Sequence, residues 1–415
     1  MARSNPPRVA VLGAGPIGLE AALYARSLQM PVTVYERSRI GEHLHRWGHV
    51  RLFSPFGMNH TPLGRAAILR EVPRHEFPAE TDCITGKEHI AAYLEPLAKT
   101  EALRDCIRGD TRVLAVGRTG FLKEEVPGDA RRAQQPFRIL VREADKKERI
   151  DEVDVVLDCT GTYAQHRWLG EGGIPAPGEL TAEKEIVYHL EDVLGGRKTF
   201  FAGKAVLVIG AGYSAATTVC NLAGLAQDNP ETWITWLARG PGSQPIKRIA
   251  SDPLKERDRL AAKANTLATR GECGVEFHPS TVIDGIDYAG PEKGFTVTAR
   301  VGGKPKTFTA DRVIANVGFT PDTVLYRELQ VHECYATLGP MNLAAALQKH
   351  GGGDCLTVPA QGAAALRNPE PNFFILGAKS YGRNSHFLLR TGFEQVREVF
   401  TLITGKADLD LYKKR

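Results

Sequence analysis

No two cysteines of this chain fall into a C-x-x-C or C-x4-C spacing; the seven, Cys83, Cys106, Cys159, Cys220, Cys273, Cys334 and Cys355, are scattered. A dithiol that relays electrons needs two thiols within bonding reach, so an internal thiol–disulfide relay is disfavoured. No apolar run approaches the roughly 18 residues that span a bilayer, and "MARSNPPR" leads straight into an apolar strand, so no membrane partner is expected and a cytoplasmic protein is. Charge of one sign is also scarce. The net +5 comes from 53 basic against 48 acidic residues, interspersed rather than blocked, which argues weakly for anionic ligands and not for nucleic acid. Repeats and biased tracts are absent as well.

What is present is an α/β chain of 415 residues, long enough for two or three domains. "RVAVLGAG" is an apolar run too short for a helix, "PIGLEAALYARSLQM" has helical spacing, and "PVTVYER" is a β-branched strand ending in an acid. Together they read as one βαβ unit. A helix is expected at "GKEHIAAYLEPLAKTEAL" (86–103), then strands at "TRVLAVG", "FRILVRE" and "VDVVLDCTG". After a loop at "PAPGEL", "KAVLVIGAGYSAATTVCNLAGLA" and "WITWLAR" repeat the strand–turn–helix–strand plan. A helix at "DPLKERDRLAAKANTLATR" and strands at "GVEFHP", "FTVTARV" and "KTFTA" follow. The late strands in "DRVIANVGFTPDT" (311–323) and "NFFILGA" (372–378), with the helix "GFEQVREVFTLITG", are expected to rejoin the first domain.

Gly13, Gly15 and Gly18 form G-x-G-x-x-G, in which the glycines permit a tight turn, close approach of backbone to a pyrophosphate, and close packing of helix on strand. The helix that follows points unpaired N–H groups and the positive end of its dipole at the phosphates. Glu36, at the end of the next strand, can accept hydrogen bonds from an adenosine ribose. The second turn has Gly210, Gly212 and Ala215, and there the acid is missing; Arg239 stands near its place, with Lys247 and Arg248 close behind. A carboxylate would repel a ribose 2′-phosphate and a guanidinium pairs with it, so NADPH is expected over NADH.

Two such turns nearly 200 residues apart, "DCTGTY" (158–163) ahead of the second, and "FFILGA" near the end resemble the two-dinucleotide-domain flavoproteins, which include thioredoxin reductases and flavin-containing monooxygenases. The resemblance implies two Rossmann-like three-layer domains: FAD on residues 1–195 and 309–415, NAD(P)H on an inserted 196–308. It implies FAD contacts from Gly13, Gly15, Pro16, Ile17, Gly18, Glu36, Arg37, Trp47, Val113, Thr160, Gly161 and Gly377, and NADPH contacts from Gly210, Gly212, Tyr213, Ser214, Ala215 and Arg239. In the late motif the reductases carry Gly-Asp, whereas this chain has "LGAKSYG", so the usual ribityl contact has no equivalent.

The stretch "RIGEHLHRWGHVRLFSPFGMN" (39–59) resembles the flavin-lining loop of the monooxygenases, with Asn59 as the equivalent of the Asn beside the reactive flavin carbon, and "LFSPFGM" as an apolar wall. The signature before the second turn is reduced to "IVYHLEDV" with His189. His43, His45 and His49 match no ligand spacing, so no metal is expected. Arg383 and His386, in a polar turn after the late motif, are candidate catalytic residues beside Asn59. The resemblance implies that NADPH reduces FAD, O2 adds to it, and a peroxyflavin oxygenates a small-molecule substrate. Two other readings stay open: a reductase or oxidase passing electrons to a quinone, a partner protein or O2, and a non-catalytic dinucleotide-binding protein. An oligomer is compatible with the sequence.

Overall fold

The computed structural model describes residues 5–349, 355–356 and 360–413. The chain opens with β1 (Val9–Leu12), α1 (Pro16–Ser27), β2 (Val32–Tyr35), β3 (Ile107–Arg108), β4 (Arg112–Arg118), β5 (Phe137–Arg142), β6 (Glu148–Val153) and β7 (Val155–Asp158). Its middle holds β8 (Ala205–Ile209), α2 (Tyr213–Asp228), β9 (Trp233–Leu237), α3 (Lys255–Arg270), β10 (Val275–His278), β11 (Thr281–Tyr288), β12 (Phe295–Val301), β13 (Lys304–Ala310) and β14 (Arg312–Ala315). β15 (Phe373–Ile375) and α4 (Leu389–Thr404) close it.

The chain divides into two compact units, residues 1–165 with 320–415, and His166–Phe319. In the first, a parallel sheet runs β15-β7-β1-β2-β3 and an antiparallel sheet runs β4-β5-β6. Strand residues alternate between faces. Val9, Val11, Val155 and Leu157 pack on α1 and α4, while Ala10, Leu12 and Val156 pack on the antiparallel sheet with Phe137 and Ile139. Both faces of β1 are therefore dry, which is why it reads as an unbroken apolar run.

The second unit repeats the plan. A parallel sheet runs β10-β9-β8-β14, and an antiparallel sheet runs β11-β12-β13. Val206 and Val208 face α2 and α3, and Leu207 and Ile209 face the antiparallel sheet. Each unit is thus a three-layer Rossmann-like domain, with helices on one side of the parallel sheet and antiparallel strands on the other.

Three expectations need correction. β14 pairs with β8 in parallel, so the strand in "DRVIANVGFTPDT" belongs to the second unit and not to the first. The second unit also begins at His166 rather than at 196. The added segment is tied to the unit where the Ile286 N–H donates to the Pro177 carbonyl and Val187 pairs with Ile314, and it is knit internally by Glu179, fully buried, whose carboxylate accepts from the Leu169 and Ala176 N–H groups and the Tyr188 hydroxyl. The helix expected over 86–103 ends at Lys99 and widens into a π turn at Ile90–Leu94. Pro96 has no N–H to offer the Ala92 carbonyl, and His75 Nε2 bonds that oxygen instead at 2.8 Å.

Candidate functional site

At the carboxyl ends of β1, β2 and β7 the first unit opens into a cavity of about 450 Å³. The position follows from topology: β2 lies on one side of β1 and β7 on the other, and the crevice falls where the winding reverses. The three glycines of the first turn do three different things. Gly13 has φ +95°, and a Cβ there would lie 3.0 Å from the Cys159 carbonyl oxygen. A Cβ at Gly18 would reach 1.9 Å from the Gly13 oxygen, which is what lets α1 sit against β1. Gly15 meets nothing within 4 Å and borders the cavity as the residue capping α1. Pro16 follows in the first helical position, where its missing N–H costs no hydrogen bond.

Glu36 is buried, and its carboxylate is held by backbone: Oε2 accepts from Ala14 N and Oε1 from Ser38 N, both at 2.9 Å. It lines the cavity, as do Ile17, Arg37, Trp47, Val113, Thr160, Gly161 and Gly377. Arg37 Nη2 lies 3.2 Å from His43 Nε2, a second side chain in the wall. Gly377, at φ +71°, donates its N–H to Gln395 Oε1 on α4 at 2.8 Å. Gly18 lies behind the wall rather than in it.

The candidate catalytic residues stand elsewhere. Asn59 is fully buried and does not line the cavity. Ser54 Oγ donates to its Oδ1 at 2.8 Å, and its Nδ2 donates to the Ser54 and Pro55 carbonyls at 3.0 and 3.1 Å. Its amide is committed to holding a short turn. Arg383 and His386 are exposed and also absent from the wall. Arg383 Nε reaches Thr320 Oγ1 at 3.4 Å, and the wall is built instead by the apolar Phe387 and Leu389 that follow.

Sequence reasoning missed Lys379. It is almost wholly buried at the cavity, and its Nζ donates to Asp158 Oδ2 at 2.6 Å and Thr160 Oγ1 at 2.9 Å. The signal was in "LGAKSYG", where a lysine follows the position of the absent acid. Cys159 is the one cysteine of the wall, and burial, reinforced by the charge of Asp158, pushes its thiol well above the ordinary range. None of the seven cysteines is joined in a disulfide among the described residues. Among the described residues no three His, Cys, Asp or Glu side chains come together as a metal site, and no helix is long and apolar enough to cross a membrane.

The second unit rebuilds the first turn. Gly210 has φ +136°, and a Cβ there would lie 2.3 Å from the Asn316 carbonyl, just as Gly13 faces the residue after β7. Gly212 caps α2 with open space around it, and Tyr213 and Ser214 begin the helix. Ala215 is fully buried at the third position, where a methyl group fits. Arg239, two residues past β9, is exposed and its guanidinium makes no hydrogen bond or ion pair. Arg248 is taken by Asp258 at 2.8 Å, whereas Lys247 is exposed.

No family model matches this chain, and no curated protein sequence does. Solved structures do. It is similar to the bacillithiol disulfide reductase Bdr (YpdA) from Bacillus cereus, with a TM-score of 0.69 at 18% identity over 97% of this chain and 100% of that one. It is similar to DfoA, the FAD-bound cadaverine monooxygenase of desferrioxamine biosynthesis from Erwinia amylovora, with a TM-score of 0.64 at 13% identity over 99% and 98%. Thioredoxin reductase from T. acidophilum gives 0.58 at 16% over 96% and 97%. The chain shares the fold of these proteins.

Proposed function

We propose that this protein is an FAD-dependent oxidoreductase that draws hydride from NADPH and uses O2 to oxygenate a small substrate. The observation that carries the dinucleotide reading is the pair of like turns with unlike ends. One is joined to a buried carboxylate, Glu36, and the other is followed by an unpaired guanidinium, Arg239.

The first cavity fits FAD. Gly15 leaves room for a pyrophosphate at the α1 N-terminus, and Glu36, already oriented by two backbone N–H groups, keeps acceptor capacity for an adenosine ribose. Thr160, Gly161 and Gly377 would border the flavin-bearing half, on the β7 side of β1, with Trp47, Phe387 and Leu389 excluding water. Bound FAD would supply the two-electron chemistry that the side chains lack. In the second unit Gly212 and the α2 N-terminus would take the NADPH pyrophosphate, and Arg239 the 2′-phosphate.

An internal disulfide relay is disfavoured, because Cys159 is alone in the wall and its thiolate is suppressed. The neighbours support both remaining outlets, since a monooxygenase and disulfide-type reductases share the fold. One observation favours the second, electron transfer to an external acceptor: the Asn59 amide is committed to its own turn. Anaerobic NADPH addition to the purified protein, followed by oxygen, tests both. Bleaching of a yellow protein supports the reductive half. Product formed in proportion to NADPH consumed supports oxygenation, and NADPH oxidation matched by peroxide or a reduced acceptor supports the alternative. A colourless protein that cannot take up FAD removes the proposal.

A further inference from the structure

Asp158 is the last residue of β7 and pairs in parallel register with Leu12, the last residue of β1 before the phosphate-binding turn. Neighbouring strands lie about 4.8 Å apart, so the end of β7, with this fully buried acid, stands beside the first glycine turn, where Gly13 faces the Cys159 carbonyl. Oδ1 accepts from Thr160 N and Oγ1 at 3.1 and 2.7 Å, and Oδ2 from Lys379 Nζ at 2.6 Å. Among the described residues Lys379 is the one cation bonded to Asp158.

We infer that Lys379 is a positioning residue, the built-in counter-ion that makes the buried acid at the end of β7 compatible with a dianionic cofactor in the adjoining turn. The inference rests on the proposal that this cavity holds FAD. Lys379 acts through Asp158: it cancels the carboxylate's charge and, with Thr160, ties the late turn at Gly377–Tyr381 to the end of β7. Without the ammonium, the Asp158 carboxylate would repel the pyrophosphate through a poorly screening interior. The other ionisable groups facing it are Cys159 and Tyr326, the latter with its ring centroid 5.1 Å from Nζ and its hydroxyl bonded to Glu333. Burial pushes both upward, so both stay neutral and neither substitutes for the cation.

The test is FAD affinity of the apoprotein at about pH 8, read by quenching of flavin fluorescence, for wild type, Lys379→Met and Asp158→Asn/Lys379→Met. The single variant is expected to bind FAD roughly ten- to hundredfold more weakly. The double variant, which carries neither charge, is expected to stay within about threefold of wild type. A residue that only packs the turn would not show the rescue. A single variant as tight as wild type overturns the inference. So does a double variant that is as weak as the single one, or that does not fold. Where the single variant does not fold, the double variant's affinity decides alone. Failure of the wild-type apoprotein to bind FAD removes the parent proposal instead.

Discussion

Gly18 and Gly13 are in a contact that admits no side chain: a Cβ on Gly18 would stand 1.9 Å from the Gly13 carbonyl oxygen. Gly15, between them, has nothing within 4 Å. The same substitution should therefore fail for different reasons at the two sites. Gly18→Ala must push α1 off β1 and is expected to lower stability by about 2 kcal/mol or more with FAD absent. Gly15→Ala should leave the apoprotein's Tm within a few degrees of wild type and weaken FAD at least about tenfold, because the methyl group enters the space for the phosphates. Thermal unfolding of both apoproteins and a titration with FAD separate the two outcomes.

Arg239 is exposed and free of partners, so its removal strands nothing in the protein. Arg239→Ala is expected to raise the KM for NADPH roughly ten- to hundredfold, the worth of one charge-assisted phosphate contact, and to leave the KM for NADH within about twofold. Steady-state kinetics with both nucleotides check this. Equal losses with the two would move the 2′-phosphate contact elsewhere.

Asn59 makes three side-chain hydrogen bonds in a fully buried turn. Asn59→Ala leaves the Ser54 hydroxyl and two carbonyls short of partners and is expected to cost about 1–3 kcal/mol of stability. NADPH-driven bleaching per folded, flavin-loaded molecule should be unchanged. A selective loss of turnover in a stable variant would return this residue to the chemistry.

Glu20, on α1, is fully buried; burial pushes its carboxyl up to about 7, against the opposing bond from Thr61 Oγ1 at 2.9 Å. A carboxyl whose folded pKa lies above its unfolded value of 4.5 penalises the native state as pH rises from about 4.5 to about 7, because the unfolded chain ionises first. The accumulated penalty is about 3 kcal/mol above that window and vanishes below it. Glu20→Gln is expected to raise Tm at about pH 8 and to change it little near pH 4. A stabilisation that does not depend on pH would refute the assignment.

Local pattern carried much of the architecture. β1, α1 and β2, and again β8, α2 and β9, were legible because a dry parallel strand, a glycine turn and an amphipathic helix each leave a mark within a few residues. The partnership of β14 with β8 was not legible, since an apolar run of four residues does not say which sheet it completes. Lys379 and Asp158 are 221 positions apart, and no spacing rule connects them. Asn59 shows the converse: a local resemblance says where a residue lies along a loop, and burial and bonding partners decide which way its amide is spent.

By itself, then, the sequence determined two like glycine turns between strand and helix, the acid that follows one and the cation that follows the other, because those features depend on neighbours a few residues away. Tertiary structure alone decided that an antiparallel sheet backs each parallel one, that the candidate catalytic polar groups stand outside the cavity wall, and that a buried lysine neutralises the acid beside the first turn. Those outcomes depend on which distant segments meet and on what water is excluded when they do, and neither is written in any short stretch of chain.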